Sequence, residues 1–176
     1  TLGNNEKSLK QLNQAIEQSP TSVVITDPEG VIEYVNPRFC ESTGFAPNEL
    51  IGQKPSRIKS GLTPLQTYQE LWSTIKSGQQ WRGELHNQHK DGQLFWENVI
   101  ISPILDEQGN ITQFLGIKED ITVRKEYEEQ LSRQANFDEL TGLPNRILAQ
   151  DRLHQALAAA HRTGGKSRVA LLFVDL

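Results

Sequence analysis

Few side chains in this sequence stand where their type and position could do chemistry. Asp175 follows the apolar run Val169–Val174, which predicts a strand buried on both faces. The carboxyl ends of such strands are where α/β sheets tend to build ligand sites, so Asp175 is a candidate ligand contact. Asn87 and Trp81 lie on one β-rich run and combine an amide, which can donate and accept, with a large planar ring. Cys40 is the only cysteine, which excludes an internal disulfide and favours a reducing compartment.

Consecutive β-rich runs must position Asn87 and Trp81. The runs are Trp81–Asn87, Leu94–Leu105 and Ile111–Lys118. Asp and Gly between the runs are typical of hairpin turns, so the runs predict an antiparallel meander. Two shorter runs, Val23–Thr26 and Val31–Val35, are joined by Asp27-Pro28-Glu29-Gly30 and predict one more hairpin.

Residues 37–75 carry helical patterns instead. Thr63 and Pro64 predict the start of the strongest helix, with Thr63 as N-cap and Pro64 at the first helical position. Its apolar stripe comprises Leu65, Tyr68, Leu71, Trp72 and Ile75. Helices across one face of a five-stranded antiparallel sheet predict an α+β fold with a pocket between the two layers.

Two amphipathic segments flank this predicted domain. Residues 5–18 predict a helix that packs on the domain or on a partner copy, with an apolar face of Leu9, Leu12, Ala15 and Ile16. Residues 123–136 are polar apart from Val123, Tyr127, Leu131 and Ala135, which recur at every fourth position. A solitary polar helix of this length is marginal in water, so we expect a parallel coiled coil that joins two chains as a homodimer. The alternative is a helix that folds back on its own domain.

The composition is that of an ordinary globular protein. The 176 residues are 36% hydrophobic and 23% charged, with a formal net charge of −4. Because no basic patch dominates, binding to nucleic acid is not expected. The longest apolar run is too short for a bilayer and no signal peptide opens the sequence, so we expect a cytoplasmic location without membrane contact from this chain. A parent protein with membrane-spanning helices upstream would be compatible with this.

The segments TDPEGVIEYVNPRFCESTGF (26–45) and 81–122 resemble a PAS sensor domain, and the resemblance covers roughly residues 15–122. It is closest to the flavin-binding branch, which includes the light-sensing LOV domains and the FAD redox sensors. The resemblance implies that Asn36 ties the end of a strand to the following helices. It also implies that Asn87 hydrogen-bonds the pyrimidine edge of FAD or FMN, and that Trp81 lies near the ring system.

Other positions depart from the flavin-binding pattern. Pro55 stands where LOV domains carry the cysteine that bonds to the flavin, so the thiol adduct chemistry is absent. Two further flavin-lining positions, an Asn and a Gln in LOV domains, read Glu97 and Lys118. An empty or differently filled pocket, with Trp81 in the core and Asn87 as a strand cap, therefore stands as the alternative. Haem is not expected, because residues 37–75 contain no His for an axial ligand.

The end of the sequence resembles another family. DELTGLPNR (138–146) and LLFVDL (171–176) are similar to the opening motif and first core strand of GGDEF domains, the diguanylate cyclases. That family joins two GTP molecules into cyclic di-GMP, and the resemblance implies that Asp175 is the first Mg²⁺-binding aspartate. It also implies that Asp138 and Arg146 pair to hold the start of the domain. Because the guanine-binding residues and the GGDEF signature lie beyond Leu176, we expect no cyclase activity from this chain.

Together these patterns predict a modular signalling protein. We expect an N-terminal helix (1–18), a PAS sensor (19–122), a coiled-coil linker (123–136) and the start of a GGDEF domain (137–176). One hypothesis makes the chain the sensor of a diguanylate cyclase. The alternatives are the sensor of a PAS-GGDEF-EAL phosphodiesterase that hydrolyses cyclic di-GMP, and a PAS domain without ligand that only dimerises.

Overall fold

The elements of the chain follow from a computed structural model, which describes residues 2–162 and 168–172 and, within them, side chains from residue 5 onward. The helices are α1 (Leu2–Glu17), α2 (Pro37–Thr43), α3 (Pro47–Leu50), α4 (Leu65–Lys76), α5 (Thr122–Asn136) and α6 (Arg146–Arg162). The strands are β1 (Ser22–Thr26), β2 (Ile32–Val35), β3 (Trp81–Gln88), β4 (Leu94–Leu105) and β5 (Ile111–Asp120). Residues 1–123 form one compact unit and residues 124–176 another.

The strands of the first unit form a single antiparallel sheet in the order β2-β1-β5-β4-β3. The meander β3-β4-β5 is set by its turns: Asp106 accepts hydrogen bonds from the backbone N–H groups of Gln108 and Asn110, and Gly109 takes a positive φ of 86°. The α+β fold predicted from the sequence is therefore confirmed.

Helices α2 to α4 pack on this sheet through two apolar clusters. The first cluster comprises Val24, Ile32, Val35, Phe39, Leu50 and Ile58. The second comprises Leu71, Ile75, Trp81, Leu85, Val99 and Phe114. Inward-facing residues alternate along β3, where Trp81, Leu85 and Asn87 are buried, so this strand presents one face to the helices.

Asn36 joins the two hairpin strands to the helices, which confirms the role predicted for it. Its Oδ1 accepts from the N–H groups of Val23 at 2.9 Å and Phe39 at 3.0 Å, and so it caps α2. Its Nδ2 donates to the carbonyls of Ile16 at 3.1 Å and Thr21 at 2.9 Å. One fully buried amide thus ties the end of α1 and β1 to α2.

The start of α4 differs from the prediction that Thr63 caps it. The helix begins at Leu65, one residue after Pro64, without a side-chain cap. The Thr63 hydroxyl instead accepts from the N–H of His86 at 2.9 Å and donates to its carbonyl at 3.3 Å. A contact 23 residues away has taken the hydroxyl that a local cap would use. Leu65, predicted in the apolar stripe, is 71% exposed.

The second unit contains most of α5, the DELTGLPNR turn and α6. Asp138 Oδ1 accepts from the N–H and hydroxyl of Thr141, so it closes a local turn rather than the predicted pair with Arg146. Asn145 caps α6 through the N–H of Leu148. Residues 168–172 are not a strand, contrary to the prediction for Val169–Val174, because no neighbouring strand pairs with them in the described part of this unit. The rest of that run, with Asp175, lies outside the described residues.

Candidate functional site

The candidate site is a cavity of about 450 Å³ between the inner face of the sheet and helix α4. This volume is in the range of small-molecule sites. Its walls are mostly apolar, formed by Val24, Ile58, Leu71, Ile75, Leu85, Val99, Ile101 and Phe114. Gly116 on β5 allows the Val24 side chain to pack closely against the strand, because a Cβ there would meet it at 2.8 Å.

A buried polar cluster closes one end of the cavity. Asn87 on β3, Glu97 on β4 and Lys118 on β5 lie on three neighbouring strands, and each is at most 5% exposed. Asn87 Nδ2 donates to Glu97 Oε2 at 2.5 Å, and Lys118 Nζ donates to the same oxygen at 3.0 Å. Lys118 Nζ also lies 5.2 Å from the centre of the Phe39 ring. The buried charges are paired, as charges in an apolar surrounding must be.

This cluster presents both kinds of hydrogen-bonding group to the cavity. Asn87 and Lys118 line the cavity, whereas Glu97 lies behind them. Since Asn87 Nδ2 is engaged by Glu97, its Oδ1 is left to accept from a ligand. The Lys118 ammonium has three N–H donors and uses one on Glu97, so it can donate to a ligand oxygen. The inner end of the cavity therefore suits a planar group that carries a donor beside an acceptor.

Trp81, predicted beside the ligand, is part of the hydrophobic core. Its ring is 4% exposed and packs over Gly83, where an added Cβ would lie 2.4 Å from the indole. The aromatic rings that line the cavity are those of Tyr68, Trp72 and Phe114. Trp72 contacts Phe114 edge-on, with ring centres 6.1 Å apart, and covers Gly30.

Two positions decide against thiol chemistry in the cavity. Pro55, at the place predicted for a LOV cysteine, is part of the cavity wall. Cys40 lies on α2 and packs against the cluster around Phe39, outside the cavity wall. Burial, followed by the nearby Glu17 and Glu41 carboxylates, raises the pKa of the Cys40 thiol, so the thiolate is disfavoured there.

The strands of the polar cluster also hold the start of α5. The carbonyl of Trp96, next to Glu97, accepts from the N–H of Ile121 at 2.8 Å. The N–H of Trp96 donates to Thr122 Oγ1 at 2.9 Å, and this hydroxyl donates to Asp120 Oδ1 at 2.6 Å. The first residue of α5 is therefore fixed to the strand that carries Glu97.

In the sequence, Glu97 and Lys118 stand out only as departures from a flavin-binding pattern. The structure brings them together with Asn87 as one cluster. The sequence contains a signal for this. Glu97 lies two residues from both Phe95 and Val99, so on a strand its charged side chain shares their inward face. Neither the pairing of Glu97 with Lys118 nor the cavity contacts of Tyr68 could be read from such alternation.

The fold and this cavity are those of a sensory domain, and comparison with known families gives the same result. The PAS domain family matches residues 20–123, more than half of the chain, and the chain belongs to that family. Residues 135–176 match the family described as diguanylate cyclase, GGDEF domain. A PAS domain followed by a GGDEF segment makes this a signal-transduction chain.

Individual relatives agree with this assignment. The nitrogen fixation regulatory protein of Klebsiella pneumoniae is 35% identical over 138 residues, which are 77% of this chain and 28% of that protein. The bacterioopsin transcriptional activator of Halobacterium salinarum is 31% identical over 150 residues, covering 81% and 22%. An RNA-binding light-oxygen-voltage receptor of known structure superimposes with a TM-score of 0.66 at 26% identity, over 72% of this chain and 36% of that one. The chain thus spans less than a third of the length of these two curated relatives.

The described residues contain neither a membrane-spanning helix nor a cluster of metal ligands. None of their helices has the length and apolar character needed to cross a membrane. The same residues contain no group of three or more His, Cys, Asp or Glu side chains placed to hold a metal ion.

Proposed function

We propose that this chain is the sensor and linker of a protein that makes cyclic di-GMP from GTP. The PAS cavity at residues 19–122 binds the signal, residues 123–136 relay it, and the GGDEF domain that begins at 137 responds. The order of the two matched families supports this division. The first helix, residues 1–18, contributes to the contact between two copies.

The observation that carries the proposal is the shared use of β4 and β5. Both strands supply a member of the polar cluster, Glu97 and Lys118. Both also hold the beginning of α5, because Trp96 of β4 and Asp120 of β5 each hydrogen-bond the Thr122 hydroxyl. A ligand that moves the cluster therefore acts on the same backbone that fixes the linker helix. The differential binding energy required is modest, about 1–3 kcal/mol for a typical allosteric coupling.

The leading ligand is a flavin, FAD or FMN, and the cavity suits it on two counts. The pyrimidine edge of a flavin presents an N–H between two carbonyls, which Asn87 Oδ1 and the Lys118 ammonium complement. The cavity volume of about 450 Å³ accommodates the ring system. A bound flavin would supply reversible reduction and light absorption. Without the thiol adduct, redox sensing is the better supported of the two.

Asn87 is the residue that would respond to the ligand. Glu97 Oε2 now holds its amide with Nδ2 toward the carboxylate. A ligand that offers an acceptor where it formerly offered a donor favours the reversed amide. That reversal places Asn87 Oδ1 against Glu97 Oε2, which is repulsive, so Glu97 must shift. Trp81, six residues earlier on the same strand, packs in the core with Leu85 and Val99.

The response domain would use GTP and Mg²⁺. Asp175, by its place in the GGDEF motif, would hold Mg²⁺ against the triphosphate, since a carboxylate and phosphate oxygens are its preferred ligands. The hydroxyl and N–H of Thr141 hold the pKa of the Asp138 carboxyl below its usual range, so Asp138 stays ionised and keeps the opening turn closed.

Two copies would meet along α5. Val123, Tyr127 and Leu131 are 62%, 64% and 65% exposed, and they recur at every fourth position of the helix. Leu9 and Leu12 of α1 are also more than half exposed. Large apolar side chains in such a row are rarely left in water, and a parallel helix from a second copy covers them.

The test uses the complete parent protein together with this chain. We expect the purified protein to absorb in the visible region as a flavoprotein, and its cyclic di-GMP output to differ between the oxidised and reduced forms. Asn87→Ala should lower flavin occupancy or abolish that difference, whereas Asn98→Ala, on the opposite face of β4, should leave both unchanged.

Each reading can fail by itself. A colourless protein that takes up neither FAD nor FMN would refute the flavin. A parent protein that makes no cyclic di-GMP from GTP and Mg²⁺ in any redox state would refute the output.

A further inference from the structure

Three lysine side chains border the cavity without a carboxylate partner. Lys54, Lys59 and Lys76 all line it, and all three are exposed, which places them at its open side. Across the described residues none of them forms an ion pair. Glu29 is the only acidic side chain in the described wall. The chain as a whole has a net charge of −4, so this local excess of positive charge is opposite in sign to the rest of the protein. Solubility does not require it.

Two of these lysines contact aromatic rings of α4. Lys59 Nζ lies 3.6 Å from the centre of the Tyr68 ring, and Lys76 Nζ lies 5.5 Å from the centre of the Trp72 ring. Tyr68, Trp72 and Lys76 are four residues apart and share the face of α4 that borders the cavity. Charge and ring surface are therefore presented together at this side.

The Tyr68 hydroxyl is the second observation that points to a ligand. Its oxygen is buried and has no hydrogen-bond partner, although the rest of the side chain is only partly buried. A buried donor left unpaired is costly, because it has given up its hydrogen bond to water without a replacement. Because Tyr68 lines the cavity, the missing acceptor can be supplied from inside it.

The two ends of the cavity thus have different chemistry. At the inner end the charge of Lys118 is balanced by Glu97, which leaves hydrogen-bonding groups. At the open side the lysine charges are unbalanced, and the Tyr68 hydroxyl, buried under Lys59, has no acceptor. We propose that the cavity binds a planar aromatic ligand with an anionic substituent, whose charge is held by Lys59 and the Tyr68 hydroxyl with support from Lys54 and Lys76. This rests on the ligand-binding role proposed above for the cavity.

A pair of probes that differ only in charge tests the anion site. 8-Anilinonaphthalene-1-sulfonate carries a planar naphthalene ring and an anionic sulfonate, and N-phenyl-1-naphthylamine is the same molecule without the sulfonate. We expect this chain to bind the sulfonate about tenfold more tightly in a fluorescence titration, as a charge-assisted hydrogen bond warrants. The neutral probe should displace it, which places both in one cavity.

Variants identify the side chains responsible. Lys59→Gln and Tyr68→Phe should each lower the affinity for the sulfonate about tenfold and leave that for the neutral probe unchanged. Lys10→Gln, which removes one positive charge from α1, should change neither. Equal affinity for the two probes, or a preference that survives both variants, would overturn the proposal. A preference that survives both variants would mean that the Tyr68 hydroxyl donates its hydrogen bond to water and not to the ligand.

A comparison of two flavins distinguishes the proposed anion site from the proposal that the natural ligand is a flavin. Riboflavin and FMN differ by one phosphate, so an anion site predicts tighter binding of FMN that Lys59→Gln reduces. Binding of neither flavin with a retained preference for the sulfonate refutes the flavin and supports the anion site. Equal binding of riboflavin and FMN, with no preference between the two probes, refutes the anion site and leaves the flavin standing.

Discussion

The pair Glu97–Lys118 is the most unusual feature at the scale of single residues. Two opposite charges lie in an apolar layer, with side chains 2% and 6% exposed. Burying such a pair costs several kcal/mol of solvation, and the mutual attraction offsets this only while both partners are present. The pair is therefore a means of placing polar groups in an apolar cavity rather than a source of stability.

Glu97→Gln should be strongly destabilising because it leaves the Lys118 ammonium without its counter-charge. We expect a loss of about 3–5 kcal/mol in the free energy of unfolding, measured by urea denaturation. The matched control Glu119→Gln, at an exposed position of β5, should change the stability by less than about 0.5 kcal/mol. The double variant Glu97→Gln/Lys118→Met removes the orphaned charge, so it should recover part of the loss. Equal stabilities of the two single variants would contradict the role of the ion pair.

Glu49 makes the stability depend on acid. Hydrogen bonds from Lys90, and then from the N–H of Ala46, lower the pKa of this carboxyl below its ordinary value of 4.5. A carboxyl whose pKa is lower in the folded than in the unfolded state stabilises the fold above the unfolded pKa, and this contribution is lost as the pH falls through the folded pKa.

The expected difference between wild type and Glu49→Gln therefore depends on pH. The wild type should have the higher melting temperature near neutral pH, and the difference should shrink as the pH falls below about 4.5, the reference pKa. Thermal melts between pH 7 and pH 3 would show this, with Glu107→Gln in the β4–β5 turn as the control. A difference that stays constant over this range would rule out the ionised Glu49 carboxylate as its cause.

At the scale of elements, the junction of β5 and α5 depends on one hydroxyl. Thr122 Oγ1 accepts from Trp96 and donates to Asp120, so it holds strand β4 and the start of the helix together. Thr122→Val keeps the shape of the side chain and leaves the Trp96 N–H without its acceptor. We expect a loss of about 1–2 kcal/mol in stability and faster amide exchange in the first turn of α5.

The control for that exchange measurement is Thr67→Val on α4, a threonine whose hydroxyl makes no hydrogen bond among the described residues. It should leave exchange in α5 unchanged. If Thr122→Val also left it unchanged, the hydroxyl would not be what fixes the helix to the sheet.

Elements with local causes were predictable, and those with distant causes were not. The alternation of apolar residues and the Asp-Gly turns located the five strands. A shift of the register by one residue would expose the apolar side chains of a strand to solvent. The hydroxyl of Thr63 went to His86 instead of α4, and the Glu97–Lys118 pair required the register of β4 and β5. The strand predicted at residues 168–172 is absent for the same reason. A strand forms only with a partner strand, and the sequence of one segment does not show whether that partner is present.

At the scale of the whole molecule, α5 carries a row of exposed apolar side chains. The helix is otherwise polar, and none of its residues is buried in the single chain. A helix of this length is marginal in water without packing. The row formed by Val123, Tyr127 and Leu131 is the surface on which a second copy would supply that packing.

Leu131→Asp should weaken the proposed dimer by placing a carboxylate in this row. Full burial of a leucine side chain is worth roughly 1.5–3 kcal/mol, so its loss in both copies should raise the dissociation constant at least about tenfold. Sedimentation equilibrium over a range of micromolar concentrations measures this. Ser132→Asp adds the same charge at the neighbouring, exposed polar residue, which points away from the row, and should leave the proposed dimer nearly unchanged. A wild type that sediments as a monomer at these concentrations, or an equal effect of the two variants, would show that α5 does not join two chains.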